Sequence, residues 1–241
     1  MSGPSPFQNK IKIYSDGADK ASMLEMAAQP HIQGLTTNPT LMKKAGITDY
    51  KSFCLDILTH IKTKPLSFEV FTDDISEMKR QALEIAKWGT NVYVKIPITN
   101  SEGISTSALV KDLAHQGVKL NVTAILTMDQ IYQTVQALKG GAPSIVSVFA
   151  GRIADTGRDP SPIMAAAADL CRSVGKDIEL LWASSRETLN IVQAELAGCH
   201  IITATPDIIK KVSMFNKDLT QLSLETVRMF KNDAEAAGFK L

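Results

Sequence analysis

The stretch VYVKIPI, residues 92–98, decides the fold. Side chains of a strand alternate between its two faces. Val92, Val94, Ile96 and Ile98 therefore form an unbroken apolar row suited to packing beneath helices, and Tyr93, Lys95 and Pro97 share the other face. Outward from this strand, similar apolar and β-branched segments recur: IKIYSD (11–16), GLTTN (34–38), LSFEVF (66–71), KLNVTAI (119–125), SIVSVFA (144–150), IELLWAS (178–184) and HIITAT (200–205). The stretches between them have helical periodicity. In DISEMKRQALEIAKWG, Ile75, Met78, Ala82, Ile85 and Ala86 share one face, Glu77, Lys79, Arg80 and Glu84 the other, and Gly89 supplies the stop. Ser105 is expected to cap the helix SALVKDLAHQG, ended by Gly117, and the helix Asp129–Leu138 runs into the turn KGGAPS. Eight strand segments alternating with helices in 241 residues give an α/β chain of the (β/α)8 TIM-barrel type. An open doubly wound sheet would ordinarily carry a nucleotide-binding turn, and neither GxGxxG nor GxxxxGKS/T occurs. No linker or charge block divides the chain, so one domain over 1–241 is expected, with the barrel over about 11–210 and a C-terminal helical extension over about 211–241. In that extension Leu219, Leu222, Leu224, Val227 and Phe230 are available to dock on the barrel or on a neighbouring subunit.

Composition narrows the partners. The balance of 26 basic and 25 acidic side chains, a formal net charge of +1, gives no electrostatic reason to expect nucleic acid or an anionic membrane. No segment has the length and apolarity of a membrane span, and the start MSGPSPFQNK lacks the apolar core and cleavage site of a secretory signal, which points to the cytoplasm. Cys54, Cys171 and Cys199 are odd in number and far apart, so buried reduced thiols are expected rather than a disulfide framework. The expected partner is a small molecule.

Parity extends to the other strands. Leu120, Val122 and Ala124 are expected to turn outward, leaving Asn121 and Thr123 inward; Phe68 and Val70 outward, leaving Glu69 inward; Ile11 and Ile13 outward, leaving Asp16 inward. Lysine, two carboxylates, an amide and a hydroxyl would then meet in one enclosed mouth, where unpaired charge is costly. An amine enclosed by apolar walls and near other cations has its pKa lowered and can attack a carbonyl carbon. The resulting iminium is an electron sink for breaking a neighbouring carbon–carbon bond, with Asp16 and Glu69 as the acid/base groups. Metal-assisted aldol chemistry competes with this reading, but His31, His60, His115 and His200 show no metal-ligand spacing. Gly151 and Arg152 after one strand, and Ser184, Ser185 and Arg186 after the next, read as an anion site on the C-terminal face of the barrel, with orphan N–H groups of the following helix available to it.

The segments SDGAD (15–19), GLTTNPTL (34–41), SFEVFTDD (67–74), VYVKIPIT (92–99), NVTAILT (121–127), SVFAGRIADTG (147–157), WASSR (182–186) and ITATPDII (202–209) resemble the short transaldolases, in that family's order. The resemblance implies a class I aldolase-type barrel acting without cofactor or metal. Lys95 would be the Schiff-base lysine, Asp16 the acid/base, and Glu69 with Thr123 would hold a proton-relaying water. Asn38 and Asn121 would orient the hydroxyls of a dihydroxyacetone unit, Arg152, Ser184 and Arg186 would bind phosphate, and Ser147 and Phe149 would line the pocket. The implied reaction carries that unit from a ketose phosphate (fructose 6-phosphate or sedoheptulose 7-phosphate) to an aldose phosphate (erythrose 4-phosphate or glyceraldehyde 3-phosphate), in the pentose phosphate pathway. Related fructose 6-phosphate aldolases release free dihydroxyacetone and carry Gln in place of Glu69 and Tyr in place of Phe149, so these two residues favour transfer. The resemblance also implies a homo-oligomer, pentameric rings paired into decamers. A catalytically silent sugar-phosphate-binding barrel, or an isomerase or decarboxylase on the same barrel, is the alternative.

Overall fold

A computed structural model describes residues 11–240. The stretch MSGPSPFQNK, read above for a secretory signal, lies outside them. Eight parallel strands close in chain order into a barrel: β1 (Lys12–Asp16), β2 (Ile32–Thr36), β3 (Leu66–Glu69), β4 (Val92–Pro97), β5 (Leu120–Ile125), β6 (Ser144–Val148), β7 (Ile178–Trp182) and β8 (Ile201–Ala204). The helices between and after them are α1 (Lys20–Ala28), α2 (Pro39–Lys44), α3 (Tyr50–His60), α4 (Ile75–Ile85), α5 (Ser107–His115), α6 (Met128–Leu138), α7 (Ala150–Ala154), α8 (Ser161–Val174), α9 (Leu189–Leu196), α10 (Pro206–Lys210) and α11 (Leu219–Ala236).

Two apolar layers follow from strand parity. Ile13, Leu35, Phe68, Val94, Ile96, Leu120, Val122, Val146, Leu180 and Ile202 join the core between sheet and helices. Tyr14, Ile145, Leu181 and Ile201, with Tyr93 and Phe149 against them, pack inside the barrel. Interior filling makes the barrel a packed core rather than a pore. Gly34 belongs to this layer by omission, because a Cβ there would lie 2.5 Å from the Tyr14 ring. Cys54, Cys171 and Cys199 are buried free thiols, and desolvation pushes the Cys171 and Cys199 thiols up to about 12.

Several local expectations change. β2 begins two residues before the GLTTN segment, and Asn38 leaves the strand to cap α2, its Oδ1 accepting from the Leu41 N–H at 2.9 Å. Thr106, not Ser105, is the N-cap of α5; its hydroxyl donates to the Pro97 carbonyl at 2.6 Å, while Ser105 forms a bridge with Thr99. Gly117 ends that helix with φ +88°, as expected. Ala124 does not turn outward. It has φ +62° at an irregularity in the β5–β6 ladder, where the extra residue breaks strict alternation; Ile125 joins the outer core and Ala124 faces the cavity. α11, capped by Asp218, buries none of its residues: of the apolar side chains expected to dock there, Leu219, Leu224, Val227 and Phe230 are exposed and Leu222 is half-buried.

Candidate active site

The polar residues of the strands meet at the C-terminal mouth of the barrel, around a cavity of about 500 Å³. Register aligns them: Glu69 lies opposite Lys95 across β3–β4, Lys95 opposite Asn121 and Pro97 opposite Thr123 across β4–β5, and Asp16 opposite Thr36 across β1–β2. Parity thus supplies the facing and register supplies the height.

Lys95 is only 6% exposed. Its Nζ donates to the Thr37 carbonyl at 2.8 Å and forms an ion pair with Glu69 Oε2 at 3.0 Å. This reverses one expectation, since the charges nearest the amine are carboxylates and not cations. Asp16 accepts from the Thr36 hydroxyl at 2.8 Å, and Thr36 lies 2.6 Å from the Thr203 hydroxyl. Because the one hydrogen of Thr36 is committed to Asp16, Thr203 donates to Thr36. Burial pushes the Asp16 carboxyl above the usual carboxylate range, against the opposing effects of Lys95 and the Thr36 bond; the nearby charge of Glu69 raises it further. Asn121 is held at both ends, donating to Ser67 Oγ at 3.0 Å and accepting from Ser147 Oγ at 2.6 Å. The buried Thr123 Oγ1 has no partner among the described residues and lines the cavity.

The anion side of the cavity is built by the loops after β6 and β7. Arg152, on α7, lies over the Phe149 ring at 5.6 Å, and Arg186 forms a bidentate pair with Asp155 at 3.1 and 2.5 Å, which raises the guanidinium pKa and lowers that of Asp155. Ser184 has φ +64°, and Gly151 packs against it so closely that a Cβ on Gly151 would sit 1.6 Å from the Ser184 carbonyl oxygen. The following helix opens later than expected, and the loop before it spends two of its N–H groups internally. α9 starts at Leu189, and the N–H groups of Arg186 and Glu187 are already taken by Asn190 Oδ1, at 2.8 and 3.1 Å.

All eleven candidate residues, Asp16, Asn38, Glu69, Lys95, Asn121, Thr123, Ser147, Phe149, Arg152, Ser184 and Arg186, line this one cavity. Sequence reasoning missed Thr36, Ser67, Thr203, Asp155 and Tyr50. The first three occupy inward positions that the parity rule, applied to every strand, would have named. No pattern marks the other two. Among the described residues no cluster of His, Cys, Asp or Glu is placed to hold a metal ion, and no helix is long and apolar enough to cross a membrane.

Residues 13–241 match the family model described as transaldolase/fructose-6-phosphate aldolase. A protein of Thermoanaerobacter sp. (strain X514) named probable transaldolase is 34% identical over 231 residues, 96% of this chain and all of that protein. One of Dehalococcoides mccartyi with the same name is 33% identical over 202 residues, 84% of this chain and 90% of that one. Among solved structures, the tryptophan synthase α subunit of Campylobacter jejuni overlays with a TM-score of 0.54 at 14% identity, covering 87% of this chain and 92% of its own. A 2,3-dimethylmalate lyase gives 0.55 at 11% identity, covering 97% and 86%. At such identities these two structures speak for the barrel fold alone.

Proposed function

This chain belongs to the transaldolase/fructose-6-phosphate aldolase family, and we propose that it moves a dihydroxyacetone unit from a ketose phosphate to an aldose phosphate through a Schiff base on Lys95. The observation that carries this reading is the lysine enclosed beside one carboxylate, with a second carboxylate and an unpartnered hydroxyl around the same cavity. The amine must lose its proton before it attacks the ketose carbonyl, and Glu69 is the base in direct contact. Loss of water from the resulting carbinolamine gives the iminium.

Asp16 then takes the proton of the hydroxyl two carbons beyond the iminium carbon. The bond between that hydroxyl-bearing carbon and the carbon next to the iminium breaks, its electron pair passes into the iminium to form an enamine, and an aldehyde leaves. Attack by the enamine on an acceptor aldehyde reverses the sequence, and hydrolysis releases the new ketose. Burial suits Asp16 to this duty, because a carboxyl whose pKa is raised binds and returns a proton more readily near neutral pH. Glu69 and Thr123 hold the relaying water, Asn38 and Asn121 orient substrate hydroxyls, and Ser147 and Phe149 shape the wall. Arg152 and Arg186, with Ser184, bind the phosphate. We further read the protein as one barrel domain acting in the cytoplasm, in the pentose phosphate pathway, as a homo-oligomer joined through α11.

The test is product analysis with fructose 6-phosphate, with and without erythrose 4-phosphate. Sedoheptulose 7-phosphate formed only in the presence of acceptor is expected; steady release of dihydroxyacetone without acceptor would make the protein an aldolase. Lys95→Ala should abolish borohydride trapping of the substrate adduct, and trapping at the wild-type level would overturn the assignment of the lysine.

A further inference from the structure

The end of β3 has an unusual partner. The β2–β3 ladder comprises only Leu35 opposite Leu66 and Thr36 opposite Ser67, followed by a hydrogen bond from the Thr37 N–H to the Ser67 carbonyl at 3.3 Å. The chain then turns at Asn38 into α2 and leaves the sheet. On its other side β3 continues beside β4, where Val70 N–H donates to the Lys95 carbonyl at 3.1 Å. Backbone groups of successive residues point to opposite edges of a strand. The N–H and C=O of Glu69 therefore face the side from which β2 has departed.

The Tyr50 hydroxyl fills that place. It donates to the Glu69 carbonyl at 2.8 Å and accepts from the Glu69 N–H at 2.7 Å. One side chain thus supplies both bonds that a neighbouring strand would have made. Its ring is braced by Phe71, edge-on with centroids 5.0 Å apart, and by Trp88 at 6.2 Å. Burial pushes the phenol pKa well up, so the hydroxyl keeps the proton it donates. The residue it grips carries the carboxylate that meets Lys95 Nζ.

We propose that Tyr50 is a positioning residue for the reaction: by completing the open edge of β3 it fixes the backbone of Glu69 and, through it, the carboxylate beside Lys95. Tyr50 touches neither the reacting atoms nor the cavity around them; it acts through Glu69. The inference rests on the reading of Glu69 as part of the proton relay.

The test compares Tyr50→Phe, Glu69→Gln and the double variant. Tyr50→Phe keeps the ring and removes both bonds, so turnover should fall about tenfold, while KM for fructose 6-phosphate stays within about twofold. In the Glu69→Gln background the same change should have little further effect, because both act through one carboxylate. Phe71→Leu, which keeps the hydroxyl, should hold turnover within about twofold of wild type.

Unchanged turnover in Tyr50→Phe beside an impaired Glu69→Gln would overturn the role of Tyr50 and leave the relay standing. Unchanged turnover in Glu69→Gln would instead remove the relay reading itself. An equal loss from Tyr50→Phe with and without the Glu69 carboxylate would mean that the hydroxyl does not act through it, and an equal loss from Phe71→Leu would mean that ring packing and not the hydroxyl matters; either would overturn the proposal.

Discussion

Asp16 shows how one residue can favour chemistry at the expense of stability. Its carboxyl sits above the unfolded-state value of about 3.8 because burial disfavours the anion more than Lys95 and Thr36 restore it. The folded state therefore holds more protons than the unfolded state between 3.8 and the raised value, and stability falls as pH rises through that window. Asp16→Asn, uncharged throughout, should melt at a higher temperature than wild type at pH 7, and the gap should close as pH approaches 3.8. Thermal unfolding followed across that range checks it; a constant difference, or a less stable variant at pH 7, would contradict the sign. Lys95, Glu69, Asn121 and Thr123 were legible by the same rule that named Asp16, since strand parity alone sends them inward. The hydroxyls that hold Asp16 follow the rule equally, as Thr36 and Thr203 stand at inward positions of β2 and β8. Asp155 and Tyr50 do not, because each lies on a connection whose approach to the site depends on the path of the backbone.

Among the elements, the β6 and β7 connections decide the anion side. α7 starts directly after β6, and the absence of a side chain on Gly151 lets it lie against the Ser184 backbone. Gly151→Ala would place a Cβ 1.6 Å from the Ser184 carbonyl oxygen, a backbone atom that cannot swing aside. The expected cost is about 1–3 kcal/mol of stability from overpacking. The displaced Arg152 and Ser184 should raise KM for phosphorylated donors about tenfold, with a smaller effect on unphosphorylated ones. Denaturant unfolding and steady-state kinetics on both donor classes test this, and a variant with wild-type stability would refute the close packing. The sequence shows a glycine here but not what approaches it. The same holds for Gly34 beneath the Tyr14 ring, and for the bulge at Ala124, which no alternation pattern foretells.

At the scale of the whole molecule, α11 is the feature the barrel leaves unused. Leu219, Val227 and Phe230 are 76%, 60% and 63% exposed, and no residue of the helix is buried. An amphipathic helix of 18 residues draws most of its stability from packing its apolar face. On the reading that another subunit covers it, light scattering should give a mass several times 26.2 kDa, and truncation after Lys217 should lower it. A full-length species at 26.2 kDa would dispose of the oligomer.

The sequence by itself determined the eight-strand alternation and, short of the bulge at Ala124, which side chains of the strands face inward, and hence the lysine and carboxylates of the candidate site. These depend on periodicity, which is a local property of the chain. Only the tertiary structure decided their heights, since register across β3, β4 and β5 sets Glu69, Lys95 and Asn121 side by side. It alone brought Tyr50 to the edge of β3 and Asp155 to Arg186, because those approaches depend on where strands end and loops turn. Periodicity encodes direction, whereas proximity between residues far apart in the chain arises only when the barrel closes.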